Sequence, residues 1–206
     1  MAKKANVVKE SKIEPKVTNV EVRIAPINVK TIKIGIKGKS PLLMDKMPDE
    51  TKMAILAKQT GVTKTNKQLR DVAKEQMRAV HLTPSGKIGF PSAGFKSGMI
   101  ESTSFVGDKM FSKKLLKGVK IMNGPIIPID FKKQSVLEHS IGANTKFSPQ
   151  FEDWKCELHI QYDGNNISAQ DLVILLNYAG FYYGIGIWSP RSKCGGDFGM
   201  YEVATK

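Results

Sequence analysis

Residues 184–199 read Gly-Ile-Gly-Ile-Trp-Ser-Pro-Arg-Ser-Lys-Cys-Gly-Gly-Asp-Phe-Gly, with five glycines in sixteen positions. Glycine at this density frees a backbone to take positive φ and to approach a ligand closely. Gly184, Gly186, Gly195 and Gly196 are therefore candidate ligand-binding positions, and Arg191 and Lys193 add cations between them. Trp188 and Phe198 offer flat faces on which bases can stack, at about 1–3 kcal/mol per base. The stretch lacks the GK[ST] ending of a phosphate-binding Walker loop, and it leads into a strand, unlike a dinucleotide fingerprint. The alternative is an irregular glycine loop whose rings plug the core.

General acid–base chemistry has three histidine candidates, His81, His139 and His159. His81 closes a basic helix just before a second Gly-rich opening and is the one worth testing as a catalyst. His139 lies in an extended excursion, and His159 has the outward parity of its strand. Asp45 is a weaker catalytic candidate, and pairing to Lys46 explains it equally well. No Ser/His/Asp order or HExxH pattern is present. Cys156 and Cys194 have no CxxC spacing, so the chain predicts neither a disulfide scaffold nor a metal site, and no cofactor signature appears.

The elements that must position these residues follow from periodicity. Residues 1–17 are polar and Lys-rich and read as a disordered basic arm, ahead of a single domain over 18–206. Alternation at Val20, Val22 and Ile24, and again at Ile32, Ile34 and Ile36, predicts strands. Residues 49–80 read as two helices parted by Thr60-Gly61. The second has an N-cap at Asn66, an apolar face of Leu69, Val72, Ala73, Gln76 and Val80, and an opposite row of Lys67, Arg70, Lys74 and Arg78. Such a row is either a solvated face or a nucleic-acid contact. Residues 86–91 predict a strand and turn opening a helix through Ser92–Ile100. A lysine cluster follows (Lys109, Lys113, Lys114, Lys117), then a strand region from Val119 to Phe131. After the excursion at 132–150, Trp154 to Tyr162 alternates. Ser168 and Asp171 form a capping box for a helix with Leu172, Leu175, Leu176 and Ala179 on one face and Gly180 at its end. Met200 to Val203 is the last strand. The order is the βαββαβ plan of an α+β, ferredoxin-like or RRM-like antiparallel sheet, with insertions at about 45–85 and 132–150.

A net charge of +13 costs stability by self-repulsion, and a polyanionic partner is the usual reason to tolerate it. Only Arg23, Arg70, Arg78 and Arg191 are arginine among 32 basic residues. Lysine meets phosphate as a point charge, whereas arginine forks onto base edges, so backbone binding with little sequence specificity is expected. A lysine-biased genome is the alternative explanation of the ratio. No apolar run approaches the roughly 20 residues of a spanning helix, no basic amphipathic helix with large apolar anchors is found, and no signal-type core opens the chain. A cytoplasmic protein without membrane contact is expected.

Two glycine motifs resemble the CRISPR-associated RAMP superfamily. The GIG…GDFG loop is similar to that superfamily's C-terminal glycine-rich loop, with a longer interval. Residues 89–100, Gly-Phe-Pro-Ser-Ala-Gly-Phe-Lys-Ser-Gly-Met-Ile, are similar to its helix opening, although the arginine ending that motif is replaced around Ile100-Glu101. Ser40-Pro41-Leu42-Leu43-Met44 is a weaker match to the crRNA-binding backbone subunits of multi-subunit effectors. The resemblance implies a modified RRM fold whose copies stack along single-stranded RNA or DNA as an arc or helical filament. It places Lys96, Ser97, Arg191 and Lys193 on phosphate, Met44 and Lys46 near the strand, and the 132–150 excursion as a thumb. The chain is short for such a subunit, which fits a stand-alone relative of phage or mobile-element origin. A metal-independent endoribonuclease is the second reading, and a protein that mimics or joins a CRISPR effector complex is the third.

Overall fold

A computed structural model of the chain describes residues 26–47, 53, 56, 77–106, 116–141, 144–193 and 195–204. The expected arm, the strand at Val20–Ile24, most of the 45–85 insertion, Lys109, Lys113, Lys114 and Cys194 lie outside the described residues.

The central sheet is built from β1 (Val29–Gly38), β5 (Lys120–Ile121), β9 (Lys155–Asp163) and β10 (Tyr201–Val203), in the order β10-β1-β9-β5 with every pairing antiparallel. In chain order these are the first, second, third and fourth strands of a βαββαβ unit, so the sheet has the 4-1-3-2 arrangement of the ferredoxin-like and RRM-like plan. Alternation works as expected. Ile34 and Ile36 of β1 pair with Leu158 and Cys156 of β9 on the buried face, and Lys33, Gly35 and Lys37 pair with His159, Glu157 and Lys155 on the other.

Two helices cover the buried face. Helix α1 (Ser92–Ser102) turns in Phe95 and Met99, and α2 (Ala169–Tyr182) turns in Leu172, Leu175, Leu176 and Ala179. The capping box at α2 is complete: Asp171 N–H donates to Ser168 Oγ at 3.2 Å, and Ser168 N–H donates to Asp171 Oδ2 at 2.8 Å. Gly180 does not end this helix, which runs on to Tyr182. A Cβ at Gly180 would overlap the carbonyl oxygen of Tyr201, so glycine is what lets β10 lie against α2.

The excursion is a hairpin of β7 (Lys133–Ile141) and β8 (Asn144–Glu152), registered from Lys133↔Glu152 to Ile141↔Asn144. Its base is fixed by β2 (Leu42–Leu43), which pairs with Phe151 and Gln150 of β8. The region from Val119 to Phe131 is not one strand. Gly124 and Pro125 divide it into β5 in the central sheet and β6 (Ile126–Pro128), which joins a separate sheet with β3 (His81–Leu82) and β4 (Ile88–Pro91). His81 thus opens β3 instead of closing a helix; the helical residues before it are Met77 and Arg78.

Candidate nucleic-acid interface

The glycine-rich loop between α2 and β10 is held by backbone bonds to itself and to the segment after β1. Ile187 N–H donates to Leu43 O at 3.2 Å, Gly199 N–H to Pro41 O at 2.8 Å, and Ile185 N–H to Gly199 O at 2.9 Å. Met200 N–H donates to Ser40 Oγ at 2.9 Å. These approaches explain most of the glycines. A Cβ at Gly186 would overlap the Leu43 carbonyl, and one at Gly196 would overlap that of Trp188. At Gly195, by contrast, φ is +59° and an added Cβ would meet open space.

Six of the residues singled out in the sequence line one cleft of about 270 Å3: Met44, Asp45, His81, Gly184, Gly186 and Arg191. Phe90 and Gly94 of the second glycine motif close it from β4 and α1. Met44 is at the same time a core residue at 1% exposure, so it reaches the cleft only as part of its floor. Its position immediately after the buried Leu42-Leu43 pair is what draws it in. Lys46 is half-buried, with its N–H donating to Ala79 O at 2.9 Å.

The two motifs meet through Arg191. Its Nη1 donates to Ser97 Oγ at 2.7 Å, its Nη2 lies 3.3 Å from Glu101 Oε1, and its guanidinium sits 5.6 Å from the centre of the Tyr183 ring. The resemblance assigned Arg191 and Ser97 separately to phosphate; here they engage each other. Lys96 Nζ donates to the Lys117 carbonyl at 3.0 Å. Lys193 is exposed, and no ion pair involves it among the described residues.

The hairpin backs the loop. Lys146 Nζ donates to Asp45 Oδ2 at 2.8 Å, so the partner of Asp45 is this lysine and not Lys46. His139 is buried, with Nε2 at 2.8 Å from Ser148 Oγ and Nδ1 without a hydrogen bond among the described residues. Its ring centre is 4.7 Å from that of Trp188, whose own ring is 6.2 Å from Phe198. Trp188 and Phe198 are therefore half-buried and engaged with the hairpin and each other, in place of the free stacking faces expected. Trp188 also takes a left-handed backbone, φ +54°, which is uncommon for a bulky residue. Burial, chiefly, holds the His139 imidazole below the ordinary histidine range; Asp45 draws it up and Lys146 presses it down.

Lys146, His139 and Ser148 are the cleft-supporting residues that sequence reasoning did not assemble. Their signal is a register: with Ile141 opposite Asn144, His139 faces Lys146 directly and Ser148 diagonally. His159 does point away from the core, and hydrogen-bonds Glu157. The sheet face on which RRMs stack bases on aromatic side chains carries Lys33, Gly35, Lys37, Lys155, Glu157 and His159. Among the residues of that face the only ring is the His159 imidazole, and Phe131 and Trp154 line the groove beside it. Among the described residues there is no group of three or more His, Cys, Asp or Glu placed to hold a metal ion, and no helix long and apolar enough to cross a membrane.

Fold and cleft together define an RRM-like α+β domain with a glycine-rich loop set between its last helix and last strand. No family model matches the chain, and no curated protein matches it. Among solved structures it is similar to Cmr6 from Pyrococcus furiosus, with a TM-score of 0.40 and 9% identity over 87% of this chain and 100% of that one.

Proposed function

We propose that the protein binds single-stranded nucleic acid, RNA or DNA, along its glycine-rich loop, and that copies associate along one strand. The observation that carries the reading is the convergence of two sequence-distant glycine motifs on one cleft, linked by Arg191 and Ser97. The net charge of +13 supplies the attraction, and exposed Lys193 adds a cation on the loop itself. The sequence resemblance to the RAMP superfamily agrees with this. The hairpin is the proposed thumb, and its coupling to the loop through Trp188 and His139 supports a shared surface.

Size exclusion of protein purified without nuclease, read at 260 and 280 nm, tests binding and assembly together. Co-eluting nucleic acid at a mass of several copies is expected. A monomer that carries none, and captures no added single strand at low salt, would reject the reading.

RNA cleavage is a second reading, because His81 and Asp45 line the same cleft. Incubation of labelled RNA with chelator present decides it: defined products would establish an endoribonuclease, and intact RNA bound to protein would leave binding as the activity.

A further inference from the structure

The cleft is nearly charge-balanced, and this distinguishes it from a phosphate hole. Its charged lining residues are Asp45 and Arg191. Arg191 is already committed to Ser97, Glu101 and the Tyr183 ring. A phosphate placed there would meet the Asp45 carboxylate with little free positive charge to offset it. The remaining lining is flat or apolar, with the rings of Phe90 and His81, and Met44, Ile185 and Ile187. A volume of about 270 Å3 holds about nine waters at liquid density. That has room for one nucleobase.

Asp45 adds a polar determinant. Its Oδ2 accepts from Lys146 at 2.8 Å, while no hydrogen bond reaches its other oxygen among the described residues. An ionised carboxylate can only accept. An exocyclic amino group satisfies it with a charge-assisted hydrogen bond. Uracil and thymine place the O4 lone pairs at that position and could meet the carboxylate only through N3–H, with O4 and O2 crowding it on either side.

We infer that the cleft takes one base turned out of the bound strand, and that Asp45 selects a base bearing an exocyclic amino group. The inference rests on the single-strand reading and deepens it. Phosphate contacts supply affinity along the strand, and the cleft supplies selectivity at one position. Turning a base out costs least in a strand that is already single.

The test compares oligocytidine and oligouridine of equal length, which carry the same phosphates and the same ring size. In a homopolymer the occupant of the cleft is known whatever the register. Affinities are measured on the full chain by fluorescence anisotropy at low salt. The native protein is expected to prefer oligocytidine by roughly tenfold, the scale of one hydrogen bond to a charged group. Asp45→Asn keeps the side-chain shape and an oxygen for Lys146, and should bring the ratio to within about twofold. Asp45→Ala should do the same. The ratio is the readout because removing a negative charge can raise affinity for both oligomers alike. Equal binding of both by the native chain, or a preference that survives in Asp45→Asn, overturns the inference while leaving strand binding standing. Failure of the native chain to bind either oligomer overturns the strand-binding reading itself, and the inference with it. Should Asp45→Ala not fold, the isosteric variant decides the outcome.

Discussion

Arg191 and Ser97, 94 positions apart, share a 2.7 Å hydrogen bond that fastens the glycine-rich loop to α1 beside the cleft. The arginine is therefore a structural tie as well as a charge, and the exposed Lys193 two positions on is the cleaner probe of phosphate binding.

Lys193→Ala should leave stability within about 0.5 kcal/mol, as surface substitutions usually do. It should also make the log–log salt dependence of single-strand binding shallower by about 0.7, the loss of one phosphate contact. Arg191→Ala should in addition destabilise the fold by about 1–2 kcal/mol through the lost charge-assisted bond and the unpaired Ser97 and Glu101. Thermal unfolding and titrations between about 50 and 200 mM salt check both. An unchanged slope in both variants would remove the loop from the interface.

Trp188→Ala removes a ring that packs on His139 and Phe198. A loss of about 2 kcal/mol of stability is expected, below the cost of truncating a fully buried Trp because this one is half-exposed. Trp188→Phe should recover much of it. Strand affinity measured on the Phe variant, which retains a flat ring, reports the stacking contribution separately from folding.

Gly180→Ala provides a sharp packing test. In an unconstrained helix the change would stabilise by nearly 1 kcal/mol. Here the added methyl would overlap the Tyr201 carbonyl, and β10 must move. A net loss of about 2 kcal/mol or more is expected, in the range of overpacked sites. Chemical denaturation measures it, and a stabilised variant would contradict the close approach of α2 and β10.

His139 makes stability depend on pH. Its buried ring resists protonation, whereas in the unfolded chain it titrates near about 6.5. The unfolded state therefore binds more protons as pH falls through that value, and stability drops until the lowered folded-state value is passed. Asp45 and Lys146 are the charged groups acting on the ring, and they work in opposite directions. Between about pH 7 and pH 5 the native protein should lose more stability than His139→Gln, with melting temperature as the measurement. Equal losses would show that His139 charges freely in the fold.

Much of the frame was legible because it depends on local patterns. Ile34 and Ile36 announced β1, the Ser168/Asp171 box announced α2, and the order of elements implied the 4-1-3-2 sheet. The site was legible only in part. Both glycine motifs stood out by residue type, but neither their meeting at one cleft nor the reason for the glycines did. Close passage of Gly186 over Leu43 and of Gly180 over Tyr201 depends on segments far apart in the chain. Burial of Met44 and the choice of Lys146 over Lys46 as the partner of Asp45 likewise required β2 and the hairpin to be paired first. Side-chain partners across a sheet follow from register, and no local window of sequence contains that information.

The bonds from Ile187, Gly199 and Met200 to residues 40–43 have a kinetic meaning. They set the shape of the loop in the free chain, so little conformational entropy would be left to lose on contact with a strand bound as proposed. On the proposed binding mode, an incoming polymer would meet a finished surface, and its capture would be limited by charge-steered diffusion instead of by a slow rearrangement of the loop.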